Sequence, residues 1–157
     1  MQSFVTYHQT PVGFLKITAT DDAVTGVEFM KVPGKEHDSH PLLTQSIQQL
    51  DEYFRGERET FDLPLCPEGT TFQQKVWKAM SKIKHGKTLS YGQLAAIVGS
   101  PDASRAVGSA CGKNPIVIMI PCHRVKASGG GLGGFSGGLE RKTMLLELES
   151  NSPALVG

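Results

Sequence analysis

Residues 114–125 read Asn-Pro-Ile-Val-Ile-Met-Ile-Pro-Cys-His-Arg-Val. The five apolar residues 116–120 form a run of strand length, and they predict a short buried strand. Cys122 and His123 follow that run almost at once, and polar, reactive groups at the end of an apolar element indicate a site. We therefore expect the core of the fold to hold this cysteine and histidine in place.

The composition is that of an ordinary globular protein, with 157 residues of which 39% are hydrophobic and 20% are charged. No apolar run approaches the roughly 18 residues of a membrane-spanning helix, and residues 1–4 lack the start of a signal peptide. We therefore expect a cytoplasmic protein with no membrane partner. Its cysteines, Cys66, Cys111 and Cys122, form no C-x-x-C pair, so the sequence indicates neither a disulfide framework nor a cysteine-built zinc site.

Charge divides the chain at residues 63–69, a stretch that contains Pro and Gly. Residues 1–69, the acidic half, carry 5 Lys and Arg against 11 Asp and Glu, a net charge of −6. Residues 70–157, the basic half, carry 11 against 4, a net charge of +7. We expect two domains with these bounds. A basic domain indicates a polyanionic partner, although lysines that only solvate a helix face produce the same charge.

The acidic half is predicted to be a small antiparallel sheet covered by one helix. Turn residues separate its β-rich runs, which are residues 3–9, 14–20 and 23–30. Apolar residues then recur at helical spacing over residues 42–54. The histidines of this half are too scattered to indicate a metal site, so we expect a scaffold that binds no metal.

The basic half is predicted to be mostly helical, which makes the fold class α+β. The expected helices are residues 71–86, 91–98, 103–112 and 139–149. Ser90 is the expected N-cap of the second helix. The second and third helices are short and are joined through Gly99, which is typical of a helix-turn-helix but also common in proteins that bind no nucleic acid.

Small residues dominate the predicted helix 103–112, which carries one long cation, Arg105, near its start. One interpretation is that this slim helix enters a widened minor groove of DNA and directs Arg105 into the base stack. The other is tight helix packing with Arg105 in a surface ion pair. The stretch alone favours the second interpretation.

Cys122 and His123 have the composition of a base-assisted thiol nucleophile. A free cysteine is only a few per cent thiolate at pH 7, so it needs a base, and His123 can supply one. Adjacent side chains of an extended segment point to opposite sides, which favours a bridging water over direct contact. A carboxylate should orient the imidazole, and Glu147 and Glu149 are candidates. A buried thiol beside a structural histidine is the alternative.

Seven of the ten residues 129–138 are glycine. Residues 129–134 match G-x-G-x-x-G, but no second strand with a terminal acidic residue follows, so a dinucleotide site is not predicted. A loop that embraces a substrate fits the glycine content better.

The order and spacing of these motifs resemble the active-site domain of the O6-alkylguanine-DNA alkyltransferases. The residues that carry the resemblance are Tyr91, residues 114–125, Phe135-Ser136-Gly137-Gly138, Lys142 and Glu149. The acidic half resembles the family's other domain, so the resemblance covers nearly the whole chain. It implies a ribonuclease-H-like sheet for the acidic half and a winged-helix-like arrangement of the helix-turn-helix in the basic half.

The resemblance implies direct-reversal DNA repair, in which O6-alkylguanine is flipped out of the duplex and its alkyl group moves irreversibly onto Cys122. Glu149 would hold His123, which deprotonates Cys122 through a water. Asn114 would brace the turn. Tyr91 would protonate N3 of the departing guanine, because a neutral guanine leaves more easily than an anion.

The resemblance also assigns the DNA contacts and the substrate pocket. Arg105 would fill the place of the flipped base. The expected DNA-binding residues are Arg105, Ser104, Ala106, Gly108 and Ser109. The expected pocket residues are Val125, Phe135, Ser136, Gly137 and Lys142. The partner is double-stranded DNA with O6-alkylguanine, bound by a monomer without cofactor or metal, while action on O4-alkylthymine and cooperative binding stay open.

Two positions depart from the family pattern, and two other function classes compete. Phe135 stands where family members often carry Tyr, and Gly92 lacks a polar side chain, so we expect effects on substrate range and DNA affinity. A lesion binder that resembles an alkyltransferase but transfers no group would lack the reactive cysteine. The presence of Cys122 argues against that class. A thiol hydrolase would need an oxyanion hole and turnover, whereas an alkyl thioether has no route to hydrolysis.

Overall fold

The structure, a computed structural model, describes residues 2–127, 135 and 137–151. The elements in these residues are β1 (Phe4–Thr10), β2 (Gly13–Ala19), β3 (Val24–Met30), α1 (Pro41–Phe54), α2 (Thr71–Met80), β4 (Leu89–Ser90), α3 (Tyr91–Ile97), α4 (Ser104–Gly112), a 3-10 helix (Cys122–Arg124), β5 (Val125–Lys126) and α5 (Leu139–Asn151). The predicted α+β class is confirmed. None of the helices in this part of the chain is long and apolar enough to cross a bilayer.

The first three strands form the predicted antiparallel meander in the order β1-β2-β3. Alternation along β2 points Leu15, Ile17 and Ala19 inward, and all three are fully buried. α1 packs on β1 and β2. Gly13 turns the chain between these strands with φ +101°, a conformation that glycine adopts without steric cost.

Two segments from elsewhere in the chain cover the outer edge of β3. Val24 exchanges two backbone hydrogen bonds with residues 64–66, and Val27 exchanges two with residues 115–117. These bonds provide partners for backbone N–H and C=O groups that would have none at an uncovered strand edge. They also attach the chain just before Cys122 to the sheet of the acidic half.

Residues 116–120 do not form the predicted strand. Ile116 and Val117 bridge to β3, but the chain then turns so that Val117 pairs with Ile120, and Ile118 takes a left-handed φ of +73°. All five side chains are buried. The prediction was wrong because an apolar run reports burial, whereas the path of the backbone is set by local hydrogen bonds.

The helices of the basic half follow their predicted positions, with changes at the ends. α3 begins at a capping box in which Ser90 and Gln93 bond each other's backbone, so the expected N-cap is confirmed. α2 ends at Met80 and not at residue 86, because the next turn tightens to bonds between residues three apart. α3 and α4, the two helices expected in a helix-turn-helix, pack against each other and against α2.

Trp77 joins α2 to α4. Its side chain is buried, and Nε1 donates to the carbonyl of Ala110 at 2.8 Å. We expect Trp77→Phe to lower the free energy of unfolding by about 1–3 kcal/mol, because it removes that hydrogen bond and leaves space in the core. Urea denaturation followed by circular dichroism measures this, since Trp77 is the sole tryptophan of the chain.

Val32→Ala is the control, because Val32 is 69% exposed. We expect this variant to stay within about 0.5 kcal/mol of the original protein. A Trp77→Phe variant with the same stability as Val32→Ala would contradict the structural role of the Trp77 contact.

Candidate active site

Cys122 begins the 3-10 helix that follows the buried turn. Its side chain is almost fully buried, and burial raises the pKa of the thiol to about 11. A hydrogen bond from Asn114 and the charge of Lys142 oppose this rise without cancelling it. The resting group is therefore a neutral thiol, which becomes a strong nucleophile only when a base removes its proton.

The predicted extended segment at Cys122 and His123 is not observed. The two residues are consecutive in a 3-10 helix, which has three residues per turn, so their side chains are about 120° apart around the helix axis. Neighbouring side chains at this angle do not face each other, so a direct contact between Cys122 and His123 is still not expected. A bridging water between them stays a prediction.

Asn114 closes the turn that leads to Cys122. Its Oδ1 accepts from the N–H of Ile116 at 3.0 Å, and its Nδ2 donates to the carbonyl of Ile120 at 2.7 Å. One side chain thus satisfies backbone groups on both sides of the left-handed Ile118. The side chain of Asn114 therefore links the two ends of the turn, and its part in the reaction stays a prediction.

His123 is fully buried, and its Nε2 lies 2.6 Å from Oε2 of Glu149. An ionised carboxylate can only accept, so Nε2 carries the ring proton and Nδ1 has the lone pair. Nδ1 has no hydrogen-bond partner among the residues that the structure describes. Burial lowers the pKa of His123, and Glu149 offsets this only in part. The imidazole is therefore neutral at pH 7, with one nitrogen held and the other available as a base.

Glu149, and not Glu147, is the carboxylate that orients His123, because Glu147 is exposed. Arg124 donates to both of its oxygens, from Nε at 2.8 Å and from Nη2 at 2.9 Å, and Tyr53 donates to Oε2 at 2.7 Å. Burial alone would raise the pKa of Glu149, but the hydrogen bonds and charges of His123 and Arg124 hold it well below its usual range. Glu149 is ionised at neutral pH.

Tyr91 stands at the start of α3, half-buried, with its ring near Gly108 of α4. Burial raises the pKa of its phenol, and the negative charge that Cys111 and Cys122 carry when they ionise adds to the rise. Tyr91 therefore keeps its proton at neutral pH and can donate it.

Four of the five expected pocket residues lie together. Lys142 is fully buried, donates to the carbonyl of Val125 at 2.6 Å and lies 6.0 Å from the ring centroid of Phe135. Burial lowers the pKa of Lys142. Phe29 of β3 packs edge-on against Phe135, and its ring leaves no room for a side chain at Gly137. The fifth residue, Ser136, lies outside the described residues.

α4 places the expected DNA-binding residues on its outer side. Its inner side consists of Val107, Ala110 and Cys111, which are buried. The outer residues are Arg105, Ala106 and Ser109, which are exposed, and Ser104 and Gly108, which are half-buried. Within residues 2–127, 135 and 137–151, Arg105 has no ion-pair partner, so this part of the structure gives no support to the surface ion pair.

Two family models match adjoining parts of the chain. Residues 4–67 match the ribonuclease-like domain of 6-O-methylguanine DNA methyltransferase, and residues 71–151 match the DNA binding domain of the same family. The chain belongs to the 6-O-methylguanine DNA methyltransferase family. The resemblance seen in the sequence is therefore confirmed.

Similarity to methyltransferases of this family extends over nearly the full length. The chain is 43% identical to the constitutive methylated-DNA–protein-cysteine methyltransferase of Bacillus subtilis, with 94% of this chain and 95% of that one covered. It is 40% identical to the Methanosarcina acetivorans enzyme of that name, with 91% and 96% covered. A crystal structure of Mycobacterium tuberculosis OGT in complex with DNA superposes with a TM-score of 0.88 at 40% identity, covering 95% and 94%.

Some contacts of this candidate site were missed by sequence reasoning. Arg124 had a weak signal, because a cation directly after a Cys-His pair is well placed to reach the same carboxylate. Tyr53 had no signal, because it lies 96 residues before Glu149. No cluster of three or more His, Cys, Asp or Glu side chains in the described part of the chain could hold a metal ion.

His85 is a further buried titratable residue beside the site. Its ring centroid lies 5.9 Å from that of Tyr53, and its Nδ1 lies 4.0 Å from Oε2 of Glu59. Burial lowers the pKa of His85, and the charge of Arg124 adds to this, while Glu149 and Glu59 oppose it. His85 is therefore held in its neutral form in the folded protein.

We expect the free energy of unfolding to fall as the pH drops below about 6.5, the usual pKa of histidine. His85 and His123 have lowered pKa values in the folded protein. The unfolded chain therefore binds more protons in this range, and protonation favours unfolding. His85→Phe should reduce the slope of the free energy of unfolding against pH by up to about 1.4 kcal/mol per pH unit. Urea denaturation at several pH values measures this slope.

His37→Phe provides the control for this titration, because His37 is exposed. We expect its slope to equal that of the original protein. If His85→Phe also kept the original slope, His85 would not contribute to the acid sensitivity.

Proposed function

We propose that the protein is a methylated-DNA–protein-cysteine methyltransferase that repairs O6-alkylguanine in double-stranded DNA. It moves the alkyl group onto Cys122 irreversibly, once per molecule. The observation that carries this proposal is the buried His123, whose Nε2 is held by ionised Glu149 and whose Nδ1 is left as a base, in the residue that directly follows the buried Cys122. The family to which the chain belongs supplies the substrate class.

The transfer is a single displacement with balanced proton movements. Nδ1 of His123 takes the proton of Cys122 through a water, and the thiolate attacks the alkyl carbon attached to O6. The bond between that carbon and O6 breaks, and its electron pair stays with the guanine. Tyr91 donates a proton to N3, so that neutral guanine leaves. Solvent then returns a proton to Tyr91 and removes one from His123.

The base is needed because burial disfavours the thiolate. With a pKa of about 11 for Cys122, thiolate formation at pH 7 costs about 5 kcal/mol. The carboxylate of Glu149 stabilises the imidazolium that forms as the proton leaves, which recovers part of that cost. The neutral resting thiol also protects the protein, because a group that is not ionised reacts slowly with stray electrophiles.

In this proposal the two halves of the chain have different roles. The basic half, residues 70–157, binds DNA and carries the transfer chemistry, with α3 and α4 as its helix-turn-helix. The acidic half, residues 1–69, is the scaffold. The outer side of α4 faces the minor groove, and Arg105 replaces the flipped base. The base pattern in the minor groove is degenerate, so we expect low sequence specificity. We also expect the protein to be a monomer and to act in the cytoplasm.

Mixing the protein with a duplex that carries one O6-methylguanine should methylate Cys122, to a limit of one group per protein. Peptide mass spectrometry locates the methyl group, and intact mass measures the limit. Cys66 and Cys111 serve as internal controls, because the first is exposed and the second has a pKa raised by burial to about 12. Cys122→Ala should bind DNA and gain no methyl group.

Two outcomes would contradict this function. Product in excess of protein would indicate a hydrolase that turns over. An unmodified protein that still binds the lesion would indicate recognition without chemistry.

Arg105→Ala should slow repair of the duplex about tenfold or more, because extrusion of the base costs a few kcal/mol that the arginine helps to recover. The same variant should react with free O6-benzylguanine within about twofold of the original rate, because a free base needs no extrusion. Single-turnover rates on both substrates measure the difference. Arg55→Ala is the control, since it removes one exposed cation from the acidic half. Equal losses on both substrates would rule out a role of Arg105 in base extrusion.

A further inference from the structure

The carboxylate of Glu149 receives more hydrogen bonds than a partner of His123 alone requires. Oε2 is shared by Nε2 of His123 at 2.6 Å, the hydroxyl of Tyr53 at 2.7 Å and Nη2 of Arg124 at 2.9 Å. Oε1 accepts from Nε of Arg124 at 2.8 Å. Tyr53 is 0% exposed, Glu149 1% and Arg124 5%, so these bonds are shielded from bulk solvent.

Tyr53 differs from the other donors in origin, and it is uncharged, unlike Arg124 and a protonated His123. His123 and Arg124 belong to the same short 3-10 helix as Cys122, whereas Tyr53 lies on α1, in the acidic half. Its phenol keeps its proton, because burial and the charge of Glu149 both raise its pKa well above the usual value. A neutral hydroxyl that always donates fixes an oxygen without adding a second cation to compete with a charged His123.

Tyr53 is itself held in place by its surroundings. The rings of Phe54, Phe61 and His85 lie 5.2, 5.5 and 5.9 Å from its ring centroid. Such a packed ring leaves the hydroxyl one position, and the carboxylate oxygen that it contacts is the one that faces His123.

We propose that Tyr53 is a positioning residue for the alkyl transfer, whose hydroxyl holds Oε2 of Glu149 against Nε2 of His123. α1 then acts on the reaction through the carboxylate, without touching DNA or the reacting atoms. This inference rests on the proposed function. It gives the acidic half a direct part in the chemistry, beyond that of a scaffold.

Loss of the hydroxyl has two physical consequences. The carboxylate gains freedom to rotate, which slows proton transfer because His123 is less well aligned. The charge on Oε2 is also less neutralised, so Glu149 attracts a protonated His123 more strongly and the pKa of His123 rises. The other charged groups that act on His123 are Arg124 and Lys142, and both lower its pKa. Tyr53→Phe removes neither of these charges.

The test compares Tyr53→Phe with Tyr7→Phe, which removes the same atom from a tyrosine of β1 that has no contact with Glu149. Alkylation of Cys122 by free O6-benzylguanine is followed by intact mass from about pH 5 to pH 9, so that DNA binding does not enter. We expect Tyr53→Phe to react about three- to tenfold more slowly at neutral pH. The pH below which its rate falls should move upward, and Tyr7→Phe should change neither quantity.

A second measurement does not depend on the reaction. Carbon-13 NMR titration of the histidines reads the pKa of His123 in the unreacted protein, and we expect a higher value in Tyr53→Phe. Should Tyr53→Phe not fold, 3-fluorotyrosine at position 53 keeps the ring and makes the hydroxyl a stronger donor. We then expect the opposite change, a lower pKa of His123.

The outcomes separate this inference from the proposed function. A wild-type protein whose Cys122 is never alkylated refutes the function, and the NMR titration still decides whether Tyr53 acts on His123. If the wild type reacts and Tyr53→Phe keeps its rate and pH dependence, the inference is wrong. A slower Tyr53→Phe with an unchanged pKa of His123 is equally against it, because a purely structural loss would give that result.

Discussion

Glu149 puts a negative charge inside the protein, where an ion without partners would cost several kcal/mol. The carboxylate is tolerated there because Arg124, His123 and Tyr53 all donate to it. Those donors belong to α1 and to the 3-10 helix that begins with Cys122, and the acceptor belongs to α5. Removal of any of them leaves a buried charge or a misplaced imidazole. The need to neutralise one carboxylate therefore fixes the relative positions of three distant parts of the chain.

A second constraint sets the position of the thiol. Residues 115–117 are bonded to the edge of β3, and Asn114 ties both ends of the turn that follows. The backbone that leads to Cys122 is therefore hydrogen-bonded to the sheet and at both ends of the turn. Ile118 has a left-handed φ, which is a strained conformation for this residue type. Its buried side chain holds the residue in that conformation. A rigid approach suits a displacement that requires alignment of the attacking sulfur.

Local signals predicted the fold well and the contacts of the site only in part. Periodicity and turn residues located the three strands and the helices, because these depend on neighbours in sequence. The apolar run 116–120 led to the wrong prediction of a strand, because the burial of side chains does not determine the direction of the backbone. The resemblance in the motifs located Glu149, but nothing in the sequence marked Tyr53, whose role arises from a contact between residues 96 positions apart. Long-range pairs of this kind are determined by the packing of whole elements and leave no local pattern.

The distance along the chain between Tyr53 and Glu149 also orders events during synthesis. The sheet, α1 and the cysteine all leave the ribosome before the carboxylate of α5 does. A nascent chain therefore lacks the carboxylate partner of His123 until residue 149 has been synthesised. The pairing that holds Nε2 of His123 is therefore complete only after α5 has been synthesised and has packed beside the 3-10 helix.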